Sequence, residues 1–245
     1  MANFATHVGI GFVVCGAMTT LVLAADLVSQ ESLFAITLSG VVGSVLPDID
    51  LKESHSCRTL FCSLALIISS YTLYSSIDRY SVVELWFLWF VTYILVRYLG
   101  PFLFNQFSYH RGIWHSLLAA LFFCFSTTIV FKHVINYDEI VAWLAGSFVL
   151  VGYLTHLTLD ELYSVDLMDK RFKASFGSAL KLYDYRNISD TSFVAALTLI
   201  AFLLTPSCKP FINDITSPQL RLVFKHRFLP KGEWFGVRLN YLNFK

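Results

Sequence analysis

Long apolar runs recur along most of the chain, and their length limits the folds open to it. A helix needs about 20 mostly apolar residues to cross the hydrocarbon core of a bilayer. Four or five of the runs meet that requirement, whereas those at 33–46 and 191–205 are short enough to be tilted, re-entrant or half-buried in protein. We therefore predict an all-α polytopic transmembrane bundle with about six or seven hydrophobic segments. The runs lie at 8–25, 33–46, 59–77, 82–104, 112–131, 139–157 and 191–205.

The composition also indicates a membrane protein. Only 14% of the residues are charged and 56% are hydrophobic, whereas soluble domains carry about 25% charged residues. The net charge of +1, with no basic arm interleaved with aromatics, argues against nucleic acid as a partner. Five cysteines without a CxxC pair argue against a disulfide framework or a thiolate zinc site. No Lys or Arg precedes the first run, so we predict an uncleaved first helix that keeps His7.

Four groups of polar residues, which we call polar islands, lie at the ends of the apolar runs: His7, Asp48 with Asp50, the stretch from His110 to Ser116, and His156 with Asp160. If the six runs up to residue 157 all span, an even number of crossings separates every pair of islands, so all four fall on one face. Ionisable groups at membrane depth are costly, which makes a functional role the default hypothesis. The sequence therefore predicts a single site built from His7, the pair Asp48 and Asp50, the stretch from His110 to Ser116, and His156 with Asp160.

Local spacing suggests how each island is presented. His156 and Asp160 are four residues apart, which puts both on one helical face. His110 and His115 suit a shared site if His110 lies in a loop and His115 in the first helical turn. Pro47 ends a helix, after which Asp48 and Asp50 should point the same way along an extended pair. Taken singly, His156 with Asp160 is better explained as a polar helix end and the Asp48–Asp50 pair as a solvated turn, whereas two histidines flanking Arg111-Gly112 at a membrane mouth indicate function.

Imidazoles and carboxylates without a thiolate suit zinc best, with manganese or iron as alternatives, and one to three ions can share the carboxylates. A bound metal lowers the pKa of its water toward about 7. Arg111 is suited to hold a phosphate or a developing oxyanion. The predicted catalytic residues are Arg111, Asp160 and His115. The predicted metal ligands are His7, Asp48, Asp50, His110, His115, His156 and Asp160.

These residues resemble the YdjM-type family of bacterial inner-membrane proteins, over roughly residues 5–185. The resemblance implies metal-dependent hydrolase activity with the ligands named above. A more distant similarity to zinc-dependent phospholipase C implies hydrolysis of a phosphoester. The chain departs from the family pattern at Leu51-Lys52, where His-Pro is common, and at Trp114, where Thr is usual. The matching pattern is His7, Leu46-Pro47-Asp48-Ile49-Asp50, His110-Arg111-Gly112-x-x-His115-Ser116 and Gly152-Tyr153-x-x-His156-x-x-x-Asp160.

Basic residues suggest which face carries the site. The short loops on the opposite side contain only Arg79 and Lys132, so the positive-inside rule places the site in the cytoplasm of a multi-pass inner-membrane protein. A re-entrant 191–205 run would keep the basic tail on that side too. We predict a hydrolase domain over 1–190, followed by a short hydrophobic segment and a basic tail over 191–245. Basic residues on the site side are Lys52, Arg58, Arg111, Lys170, Arg171, Lys173, Lys181 and Arg186.

The expected function is hydrolysis of an ester, most plausibly a phosphoester, in a lipid or amphiphilic substrate at the membrane surface. The segment at 158–190 either lies against anionic lipid or forms a solvated loop. One alternative is a non-enzymatic protein in which the metal only holds the helices together, while the basic 158–190 segment and the tail bind a partner. A metal transporter ranks last. Its ligands would lie near the membrane midplane between internal repeats, whereas the candidate ligands here lie at the ends of apolar runs and the sequence shows no internal repeat. Structural, exposed or supporting roles are expected for His55, His133, His226, Glu161, Asp166 and Arg97.

Overall fold

The predicted all-α transmembrane bundle is confirmed. The computed structural model describes residues 3–50, 55–102, 113–166, 171–172, 180–218, 220–222, 233–234 and 237–238. Its helices are α1 (Phe4–Ala24), α2 (Gln30–Gly43), α3 (His55–Ser75), α4 (Val82–Ile94), α5 (Leu117–Ile129), α6 (Glu139–Leu162), α7 (Ile188–Leu204) and α8 (Lys209–Ile215). A 3₁₀ turn covers Leu46–Asp50, π-helical turns extend α4 over Leu95–Leu99 and α5 over Val130–Val134, and two-residue strands pair as Val165–Asp166 with Arg171–Phe172 and Glu233–Trp234 with Val237–Arg238.

Within the part of the chain that the structure describes, five helical segments are long and apolar enough to cross a membrane, and a sixth candidate is bent. Large apolar side chains such as Phe12 and Phe87 are 62% and 71% exposed, as lipid-facing residues should be. The bent candidate joins α7 to Lys209–Leu222 at 84°, as in a broken span or a re-entrant loop. The five are Phe4–Ala24, Cys57–Ser75, Val82–Phe102, Leu117–Val134 and Glu139–Leu162.

The run at 33–46 does not form a span by length. Helix α2 has 14 residues, or about 21 Å of helix, against the roughly 30 Å of hydrocarbon core. It instead lies antiparallel along α1, where Cys15 faces Gly40 and the hydroxyls of Thr19 and Thr37 lie 2.6 Å apart. The end of α2 therefore returns to the beginning of α1, and the two polar islands there meet without a full crossing by α2.

Helix α6 is the centre of the bundle, and glycines set its contact with α2. A Cβ on Gly152 would strike the carbonyl oxygen of Gly40, and one on Gly43 would strike the carbonyl oxygen of Val149. The two backbones are in direct contact, as small residues allow in membrane bundles. This close crossing brings the C-terminal end of α2 against the last two turns of α6.

Helix α7 runs from the site end of the bundle to the opposite end. Near its start, Val194 belongs to the apolar core that also contains Tyr153. Just beyond its end, the carbonyl oxygen of Pro206 accepts a hydrogen bond of 3.2 Å from the indole of Trp143, in the first turns of α6. The boundary proposed between residues 190 and 191 stays a prediction.

Candidate metal centre

The last two turns of α6 supply two of the predicted ligands. His156 and Asp160 are 0% and 5% exposed, and the His156 Nε2 lies 3.7 Å from the Asp160 Oδ2. The prediction that their four-residue spacing puts them on one face is confirmed. Their burial at a helix end, where solvent-facing polar residues are usual, means that each needs a specific partner.

The carbonyl oxygen of Ser44 fixes the orientation of the His156 ring. The His156 Nδ1 lies 2.8 Å from this oxygen, which can only accept, so Nδ1 carries the proton. The Nε2 lone pair then points toward the carboxylates. This is the arrangement usual for metal-binding histidines, whose second ring nitrogen donates to a backbone carbonyl or carboxylate.

Asp48 enters the site from the 3₁₀ turn that follows α2. Its Oδ1 lies 3.5 Å from the His156 Nε2. Burial raises the pKa of the Asp48 carboxyl, but a hydrogen bond with His156 and the positive charges that His156, His115 and His7 carry when protonated outweigh burial and lower the pKa below its usual value. The predicted extended pair was wrong, because Leu46–Asp50 is a 3₁₀ helix. Pro47 fits that helix, since its fixed φ is close to helical.

His115 lies immediately before α5 and not in its first turn, so that prediction was wrong by two residues. Ser116 is the N-cap, and its side chain accepts a hydrogen bond from the Ala119 amide at 3.3 Å. The turn is held from α6, where the buried Tyr153 hydroxyl donates to the carbonyl oxygen of Trp114. His115 is 2% exposed and directs its Nε2 into the site.

Among the described residues, four ligand atoms converge, one each from Asp48, His115, His156 and Asp160, and all lie within 4.8 Å of one another. We call these four residues the metal centre. The His115 Nε2 lies 3.8 Å from the Asp160 Oδ2 and 3.9 Å from the Asp48 Oδ1. Ligands at about 2.0–2.2 Å from a tetrahedral ion are roughly 3.3–3.6 Å apart, so the histidine–carboxylate separations of 3.5–3.9 Å need only a small contraction. The four residues can hold a divalent metal ion.

His7 lies beside the metal centre and is not one of its four members. Its ring stacks on that of His156, with centroids 3.7 Å apart and planes inclined by 14°. Its Nε2 is 3.4 Å from the Asp160 Oδ1, whereas the His115 Nε2 contacts the other carboxylate oxygen, Oδ2. The absence of a side chain at Gly11, one turn later on α1, allows α1 to approach Ser44 this closely.

Several predicted residues lie outside this description. His110 and Arg111 fall outside the described residues, as do His226 and the side chains of His55, Asp50 and Asp166. His133 is exposed at the other end of α5. The sequence did not identify Ser44, whose carbonyl oxygen orients a ligand and leaves no side-chain signal. Tyr153 was part of the family pattern, but its role in holding the His115 turn was not predicted.

Comparison with known proteins agrees with the sequence pattern. The family described as "YdjM inner membrane protein" matches residues 1–168, a range that contains every residue of the metal centre. No curated protein and no solved structure matches the chain. The match to the family covers more than half of the 245 residues. The chain belongs to the YdjM inner membrane protein family.

Proposed function

We propose that this protein is a membrane-embedded metal-dependent hydrolase that cleaves an ester, specifically a phosphoester, in a lipid or amphiphilic substrate. The observation that carries the proposal is the convergence of two carboxylates and two imidazoles, each buried to at least 93%, on one point in the bundle. Burying so many ionisable groups costs several kcal/mol unless a cation or proton balances them. Such a cost is expected at a functional site.

The donor set favours an ion that takes nitrogen and oxygen ligands, with zinc first and manganese or iron as alternatives. When bound, such an ion lowers the pKa of a coordinated water toward about 7 and makes a nucleophile available at neutral pH. Asp48, His115 and His156 would hold the ion. Asp160 has one oxygen toward His115 and a second toward His7, which suits it to hold the ion and also to accept a hydrogen bond from an attacking water.

The position of the site supports an amphiphilic substrate. His156 and Asp160 lie in the last turns of α6, and Leu162 just beyond them is 61% exposed. The metal centre is therefore near the end of a candidate span, where a lipid headgroup would meet it. Arg111, four residues before His115 in the sequence, is proposed to bind the anionic group of the substrate. On the count of basic residues, this end faces the cytoplasm.

The direct test is hydrolysis of phospholipid and lipid-phosphate mixtures by the purified full chain in detergent or nanodiscs. We expect turnover in the metal-loaded protein, loss on chelation, and recovery on adding zinc or manganese. The Asp48→Asn variant should lose activity and bound metal together. The matched control is Asp78→Asn, which changes a carboxylate in the exposed loop between α3 and α4. Full turnover in Asp48→Asn at full metal content would refute the proposed role.

A structural metal is the second candidate, and one observation favours it. The metal centre ties together the 3₁₀ turn after α2, the residues before α5, and α6. A metal that binds only the folded state stabilises it by mass action, so chelation should lower the unfolding temperature in either case. The two candidates separate on catalysis: chelator-induced destabilisation without hydrolysis of any ester in the panel would favour the structural role.

A further inference from the structure

The ring of His7 has an orientation that a single metal ion does not explain. His7 and His156 are stacked, with centroids 3.7 Å apart and ring planes inclined by only 14°. A metal ion lies close to the plane of each imidazole that binds it, at about 2.0–2.1 Å from the nitrogen. Planes so nearly parallel and so far apart meet only on the order of 10 Å from the rings, well beyond such a bond. One ion therefore cannot lie in both planes.

The His115 ring shows the contrasting case. It is inclined by 69° to the His156 ring, with centroids 5.8 Å apart. Both rings direct Nε2 toward Asp160 Oδ2, at 3.8 and 3.7 Å. Their planes can intersect close to the nitrogens, so these two histidines can share an ion. His7 would have to leave the stack to join them.

The two oxygens of Asp160 face different histidines. Its Oδ2 faces the Nε2 atoms of His115 and His156, whereas its Oδ1 lies 3.4 Å from the Nε2 of His7. Because the Nε2 atoms of both stacked rings lie within 3.7 Å of this carboxylate, both Nε2 atoms lie on the Asp160 side of the stack. The 3.7 Å between their centroids matches the separation of about 3.5–4 Å between ions in two-metal sites.

The burial of the His7 side chain is not explained by a hydrogen bond to another described residue. Its side chain is 1% exposed, and within the described part of the chain neither of its ring nitrogens has a hydrogen-bond partner. An imidazole buried in this way is costly unless something binds it. The Nε2 of His7 is directed at a carboxylate oxygen 3.4 Å away, which is longer than the usual range of about 2.7–3.2 Å for an N–H···O hydrogen bond.

We propose that the protein holds a second divalent cation on the His7 side of the metal centre, with Asp160 as the carboxylate that bridges the two ions. The inference rests on the metal centre of the proposed function but not on hydrolysis. His7 would be a ligand of the second ion, and Asp48, His115 and His156 would serve the first. Nitrogen and carboxylate donors suit zinc or manganese at both positions.

The test is metal stoichiometry of the purified full chain after loading with excess Zn²⁺ or Mn²⁺ and removal of the unbound ion. We expect two ions per chain in the parent protein and one in His7→Ala and His7→Gln. His133→Ala, which removes an exposed imidazole at the far end of the bundle, should keep two. With Mn²⁺, electron paramagnetic resonance should show spin coupling between two ions in the parent protein and an isolated ion in the His7 variants.

One ion per chain in the parent protein, unchanged in the His7 variants, would overturn the inference, as would no bound metal. Two ions in the folded His7 variants would also overturn it, because His7 would then not be a ligand. If stoichiometry is two and no ester is cleaved, the inference stands while the hydrolase proposal falls. If the parent protein binds one ion and cleaves the ester, the hydrolase proposal stands while the inference of a second cation falls. Circular dichroism and elution volume of the variants show whether a change in stoichiometry comes from a folded chain.

Discussion

The His156 Nδ1 donates a hydrogen bond of 2.8 Å to the carbonyl oxygen of Ser44, so a backbone atom at the end of α2 decides which ring nitrogen of a residue on α6 is left to bind metal. Ser44 is the C-cap of α2, where unpaired carbonyl oxygens accumulate and the helix dipole is negative. A proton on Nδ1 is favoured there. The end of one helix thus prepares a ligand on another.

From this relationship we predict that His156→Gln loses metal affinity by more than about 100-fold, because altering even an outer partner of a metal ligand typically costs 10–100-fold. The measurement is competition against a fluorescent zinc chelator. His133→Gln is the matched control and should bind like the parent protein. A His156→Gln protein that binds zinc within a factor of three of the parent would show that this imidazole is not a ligand.

The contact between α2 and α6 should be sensitive to one added methyl group. In Gly152→Ala the new Cβ would strike the Gly40 carbonyl oxygen and lie 2.9 Å from the Ser44 amide nitrogen. Backbone atoms cannot move aside cheaply, so we expect a loss of stability of about 1–3 kcal/mol and weaker metal binding, because the Ser44 carbonyl oxygen shifts. Gly16→Ala, whose Cβ would meet nothing within 4 Å, is the control for both measurements, made by denaturant unfolding in detergent and by zinc competition.

The sequence predicted the helical bundle because apolar run length is a strong local signal, and it predicted the meeting of Asp48 and His156 because each lies at a run end. It placed His115 inside α5 because the N-cap at Ser116 depends on a backbone turn held by Tyr153, a contact across the bundle. It missed Ser44 entirely, since any residue type carries a carbonyl oxygen. Backbone contributions to a site leave no mark in residue identity.

The hydroxyl of Tyr153 should matter more to metal binding than to folding. Tyr153→Phe removes the hydrogen bond to the Trp114 carbonyl oxygen that holds the turn before α5. We expect a loss of about 1 kcal/mol in stability and about tenfold in zinc affinity, as His115 loses its fixed position.

Tyr71→Phe is the matched control for Tyr153→Phe. It removes a hydroxyl that donates to the Val134 carbonyl oxygen at 3.2 Å, at the other end of the bundle, so it should leave zinc affinity unchanged. Equal effects of the two variants on zinc binding would mean that the turn before α5 is held by something other than this hydroxyl.

Labelling of the two ends of α7 can show on which side of the membrane the metal centre lies. Cys208, just after α7, is exposed and lies at the Trp143 end of the bundle, whereas Ser189, in the first turn of α7, is exposed near the site end. If the basic face is cytoplasmic, a membrane-impermeant maleimide should label Cys208 in intact spheroplasts. It should label a Cys208→Ser/Ser189→Cys variant only after permeabilisation. The reverse pattern would place the metal centre outside the cytoplasm, and equal labelling of both positions from one side would show that α7 is re-entrant and does not cross.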